Sequence, residues 1–93
     1  MKPKLLILTD WFLPGYKAGG PIRSVANLCR ELAGEMDLYV LTGDRDYGDD
    51  KAYENVQPNT WTDWNGKAKV WYTAPHDLSL GKMLSIIEEV DPS

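Results

Sequence analysis

The stretch from residue 4 to 34, KLLILTDWFLPGYKAGGPIRSVANLCRELAG, restricts the possible folds more than any other part of the chain. Leu5, Leu6, Ile7 and Leu8 form an apolar run that enters a loop holding Gly15, Gly19 and Gly20, and a helix is expected to open at Pro21 or Ile22. An uninterrupted apolar strand over residues 4–9 suits a parallel sheet covered on both faces. The helix, over residues 22–33, places Ile22, Val25, Ala26, Leu28, Cys29, Leu32 and Ala33 on one stripe and Arg23, Asn27, Arg30 and Glu31 elsewhere. Gly34 follows as a C′ stop.

This strand, glycine loop and helix are where function is expected. The first amides of a helix lack intrahelical partners, and the aligned peptide dipoles leave partial positive charge there. A glycine pair before that turn lets main chain approach a ligand without an intervening Cβ. Phosphate or a sugar hydroxyl is a suitable guest. The spacing fits neither G-x-G-x-x-G nor G-x-x-x-x-G-K-[ST], so no dinucleotide or P-loop site is indicated and no cofactor is expected. Two readings stay open: an anion or hydroxyl site of unspecified type, or a plain turn in which Pro21 opens the helix through its fixed φ.

A second strand is expected over residues 38–42, completing a βαβ unit with a right-handed crossover and a parallel pair. Residues 43–66 hold many turn formers and no sustained period, and read as a long functional or mobile connection. A third strand over 69–73 alternates Val70 and Tyr72 against Trp71, as in an edge or half-covered strand. A second helix begins near Ser79, an N-cap residue, with Leu80, Met83, Leu84, Ile87 and Val90 as its stripe and Pro92 as its end. The expectation is α/β, a single domain over residues 1–93 with about three parallel strands and two helices. An alternating chain would continue with a fourth strand beyond strand one, so the chain is expected to be part of a longer protein.

Composition narrows the classes of function. Lys+Arg 10 against Asp+Glu 14 gives a net charge of −4, with the acids concentrated after residue 43, so no basic face for nucleic acid is expected. Cys29 is the only cysteine, which excludes a disulfide framework, and its place on the apolar stripe suits a buried thiol. The opening apolar run is too short for a signal peptide or a membrane span. A cytoplasmic protein is expected, with peripheral work at the inner face of a membrane compatible.

Together the opening strand, the loop FLPGYKAGGPIRSVANLCREL, the strand LYVLTGDRD, the segment ENVQPNTW and the helix ending in EEVDP resemble the start of the N-terminal domain of a GT-B-fold glycosyltransferase, of the large retaining group 1 or family 4. The resemblance covers nearly the whole chain. Its most specific part is the aromatic, proline and double-glycine loop with the helix carrying Ser24 and Asn27. It implies a Rossmann-like three-layer αβα domain facing a second domain across a cleft, with a glycan or lipid-linked acceptor on this side and a nucleotide-sugar donor on the other. It points to Gly19 and Gly20 as cleft-lining residues near substrate, and less strongly to Arg23, which is equally a solvated helix charge. The family's C-terminal glutamate motif is absent, and its usual N-domain histidine would lie beyond Ser93. On this reading the chain alone has no transferase activity.

Weaker candidates are Asp10 at the end of strand one, as a base or a loop carboxylate bonded to amides, and Trp61 and Trp64, as sugar-stacking or packing aromatics. Asp44, Arg45 and Asp46 follow strand two as substrate contacts or an internally paired turn. His76 has no second ligand at metal spacing, and Asp49, Asp50 and Glu54 form a solvated run. The competing class is a non-catalytic α/β binding or regulatory module; an oxidoreductase is disfavoured by the missing fingerprint. Strand one, left without a neighbour, is expected to drive self-association.

Overall fold

The structure, a computed structural model, describes residues 2–74 and 79–92. Six elements follow in order: β1 (Lys4–Leu8), α1 (Gly20–Leu32), β2 (Asp37–Gly43), β3 (Trp61–Trp64), β4 (Ala68–Thr73) and α2 (Leu80–Val90). They form a small α/β domain with a mixed sheet in the order β1-β2-β4-β3. β1 and β2 are parallel with Leu8 opposite Leu41, and β2 and β4 are parallel with Gly43 opposite Thr73. The expected βαβ unit is present, with its boundaries displaced by one or two residues.

Side chains alternate across the strands, so each helix meets a different set. Ala26 and Cys29 of α1 join Leu38, Val40, Val70 and Tyr72, with Phe12 of the glycine loop fully buried among them. Ile86 and Val90 of α2 join Leu41 and Trp71 on the other face. Burial raises the Cys29 thiol pKa, against a smaller opposing effect of Arg30, as befits an inert core thiol.

Three expectations are corrected. The stretch 43–66 is not all loop: Trp61–Trp64 pairs antiparallel with β4, Trp61 opposite Trp71, so the sheet has four strands and is mixed. Asn65 and Gly66 take φ of 52° and 69° to close this hairpin, and Asp63 Oδ2 accepts the Gly66 amide at 3.0 Å. The strand expected at an edge is therefore internal, buried along its length except at Lys69. Gly34 does not adopt left-handed backbone; α1 ends through Ala33 in αR geometry, and both the Glu35 and Met36 amides donate to the Leu32 carbonyl at 2.9 Å.

The second helix starts as expected. Ser79 caps it, its hydroxyl accepting the Lys82 amide at 3.1 Å, and Asp91 ends it in left-handed backbone just before Pro92. Asp77 and His76 lie outside the described residues. No helix among the described residues is long and apolar enough to cross a membrane.

Candidate functional site

The three parallel strands β1, β2 and β4 end together. Such an edge is where open α/β sheets form ligand crevices. Here it forms a cleft of about 680 Å³. Asp10 and Trp11 line it after β1, Thr42 within β2, Asp44 and Arg45 after β2, and Met83 reaches it from α2.

The polar groups of the cleft differ in how far they are already committed. Asp44 is buried, and its Oδ1 accepts Arg45 Nε at 2.9 Å. The Asp44 amide donates to the Thr73 carbonyl at 3.0 Å, and its own carbonyl accepts the Tyr53 amide at 2.8 Å. Arg45 Nη1 donates to the Asp50 carbonyl, so the guanidinium is engaged on two sides. The Thr42 hydroxyl, on a residue 2% exposed, has no hydrogen-bond partner among the described residues. Asp10 is exposed, and no hydrogen bond to its carboxylate is present among the described residues. Trp11 is half-buried and meets Tyr47 edge-on, with centroids 5.1 Å apart.

The glycine loop is held by side chains distant in sequence. Asp46, 5% exposed, accepts the amides of Tyr16 at 3.0 Å, Lys17 at 3.1 Å and Tyr47 at 2.8 Å. The Tyr53 hydroxyl donates to the Phe12 carbonyl at 3.2 Å, and the Tyr72 hydroxyl to that of Leu13. The Leu13–Pro14 peptide bond is cis. A Cβ at Gly15 would collide with the Tyr53 hydroxyl and come within 2.9 Å of Asp46 Oδ1 and 3.0 Å of the Phe12 carbonyl, so glycine is required there by close approach. Lys17 adds an exposed ion pair to Asp49.

These contacts shift the titration of the groups that make them. Burial acts to raise the Asp46 pKa, but the amides of Tyr16, Tyr47 and Lys17 and the Lys17 charge outweigh it and hold the carboxyl below the ordinary range. Burial pushes the Tyr72 hydroxyl up to about 12, and burial with the surrounding carboxylates pushes Tyr53 up as well.

The candidates from sequence fall in separate places. Asp10 lines the cleft, but Gly19, Gly20 and Arg23 do not. Gly19 is the N-cap of α1 at φ 72°, a conformation that favours glycine, and has no side-chain cap bond. A Cβ at Gly20 would meet nothing within 4 Å. Arg23 borders a second groove, of about 270 Å³, with Leu13, Asn27 and Arg30. Trp61 and Trp64 lie on β3 and not in a loop. Trp61 packs against Tyr39 and Trp71 and donates from Nε1 to Glu89 at 3.2 Å, whereas Trp64 packs on Phe12 beneath the Arg30 guanidinium. Neither lines the cleft.

Sequence reasoning overlooked Thr42, Met83 and the tethering by Asp46. A threonine inside an apolar strand gives little warning, and an aspartate that bonds amides some thirty residues away leaves no local pattern. No group of three or more metal-ligating side chains occurs among the described residues. No family model matches the chain, and no curated protein and no solved structure matches it. What fold and site together define is an α/β domain with a ligand-sized cleft at the carboxyl edge of its parallel strands.

The Asp46 carboxylate generates a prediction. Because its folded-state pKa is lowered, its stabilisation is complete above the unfolded value of about 4 and is lost as pH falls through the folded value. Asp46→Ala should cost about 2 kcal/mol at pH 7 by removing the acceptor of three part-buried amide bonds. Urea titrations should show this loss, and the variant's stability should fall less steeply than the wild type's below about pH 4.

Proposed function

We propose that this chain is the acceptor-side part of a glycosyltransferase that moves a sugar from a nucleotide-sugar donor to a glycan or lipid-linked acceptor. In this reading the domain is Rossmann-like, three layers deep, and works without a cofactor. The observation that carries it is the cleft at the carboxyl edge of β1, β2 and β4, where Asp10 and Trp11 follow the end of β1 after Thr9. The parallel order of these strands and a helix on each face support it, as does the likeness of the double-glycine loop to the glycosyltransferase pattern.

Sugar transfer needs an oriented acceptor and charge stabilisation for the departing diphosphate. The cleft can orient an acceptor hydroxyl through the Asp10 carboxylate. It offers little to a diphosphate, since Arg45 is bound to Asp44 and to the Asp50 carbonyl. Donor-side charge is therefore assigned to a facing lobe, and the 93-residue chain alone to the inactive state. The engaged arginine also favours the second reading, a non-catalytic α/β binding module. Release of nucleoside diphosphate from a panel of sugar nucleotides separates the two. The full-length gene product should release it in the presence of glycan or lipid-linked acceptors, and the 93-residue chain should not. No release by the full-length product rejects the transferase reading, and turnover by the 93-residue chain rejects the acceptor-side assignment.

The same reading extends to self-association. Among the described residues β1 pairs only with β2, and Leu8 at its end is 54% exposed. An apolar strand with one open row of amides and carbonyls is a template for pairing. Two copies of the chain are expected to join antiparallel along β1. Light scattering should show mass rising with concentration, with Leu8→Lys shifting the equilibrium toward monomer; a clean monomer at high concentration would count against the pairing.

A further inference from the structure

The charges of the carboxyl-edge cleft point to a discrimination that the fold alone does not dictate. Of the charged side chains that line it among the described residues, Asp10 and Asp44 are anionic and Arg45 is cationic. Arg45 directs Nε to Asp44 and Nη1 to the Asp50 carbonyl, so its charge and two of its donors are committed within the protein. The remaining anion, Asp10, is exposed at the mouth. Arg23 lies outside the cleft, on the second groove. An anionic ligand would therefore face an uncompensated carboxylate. An uncharged ligand rich in hydroxyls would face acceptors, since an ionised carboxylate can only accept. The floor adds Thr42, whose buried hydroxyl has no partner among the described residues and is costly to leave so. Trp11, braced edge-on by Tyr47, adds an apolar wall.

We infer that this cleft selects an uncharged, saccharide-type ligand and rejects its phosphorylated counterpart, with Asp10 and the Asp44–Arg45 pair setting the selectivity and Trp11 supplying the contact surface. The inference rests on the acceptor-side reading above and names the class of acceptor. Asp10 binds hydroxyl hydrogens; the Asp44–Arg45 pair works by withholding a cation from the cleft.

The test titrates the isotope-labelled 93-residue chain with methyl glucoside, methyl galactoside and methyl mannoside, with the 6-phosphate of each, and with inorganic phosphate, following backbone amides by NMR. At least one neutral glycoside should shift amides of residues 8–11 and 41–45, and its 6-phosphate should bind at least tenfold more weakly. Asp10→Asn should narrow that gap. Trp11→Ala should weaken the neutral glycoside about tenfold while amides of α1 and β3 keep their positions. Equal or tighter binding of phosphate or a 6-phosphate at these amides overturns the inference, as does the absence of shifts with every neutral glycoside. Failure here is separable from failure of the transferase reading. A full-length product that releases nucleoside diphosphate while the cleft prefers phosphorylated glycosides keeps the transferase and discards the selectivity.

Discussion

One carboxylate fastens the part of the molecule that local forces cannot hold. Asp46 takes the amides of Tyr16 and Lys17 and one from its own turn, so the loop after β1 is tied to the segment after β2. Charge-assisted bonds to main-chain donors are short and directional, and burial removes the competition of water. Tyr53 and Tyr72 donate to carbonyls of the same loop, and Tyr53 with Asp46 closes the space around Gly15. With that loop in place, Phe12 is driven into the core beside Trp64, and α1 starts where its stripe can reach the sheet.

The cleft follows from this arrangement. Because the loop after β1 is drawn toward the segment after β2, Asp10 and Trp11 remain beside Thr42 and Arg45 instead of covering the strand ends. The chemistry of the opening is then decided by neighbouring residues in the chain. Asp44 pairs with Arg45, and Asp10 is left exposed. The helix entrance at Gly19 and Gly20 opens elsewhere, so main-chain donors and carboxylates serve different surfaces.

Much of this is legible in the residues, and the exceptions have physical causes. The helices and apolar strands are patterns of periodicity, and their bounds reappear within a residue or two, but the stripes are narrower than expected: Leu28, Leu80 and Leu84 are exposed, and Ile86, outside the expected stripe, is buried. The stretch 43–66 has no period because most of it is held by Asp44, Asp46 and Tyr53, each acting over distance. Its one strand is four residues long, below the span where alternation is distinct, although Asn65-Gly66 between two aromatic runs is a recognised hairpin mark. Once that hairpin forms, β4 gains a neighbour on its outer side, which is why an alternating strand proves to be an internal one. At the site, the position of Asp10 at a strand end was open to inference, whereas the separation of the glycine pair from the cleft depends on the path of the tethered loop.

The placement of two indoles three residues apart on β3 has a structural cost and benefit of its own. Trp61 emerges toward α2 and Trp64 toward the glycine loop, so a ribbon of four residues is bolted into both sides of the sheet. Slippage by one step against β4 would exchange the faces of both rings at once, pulling each from its aromatic neighbours. That makes the pair of rings a register key for the pairing of β3 with β4.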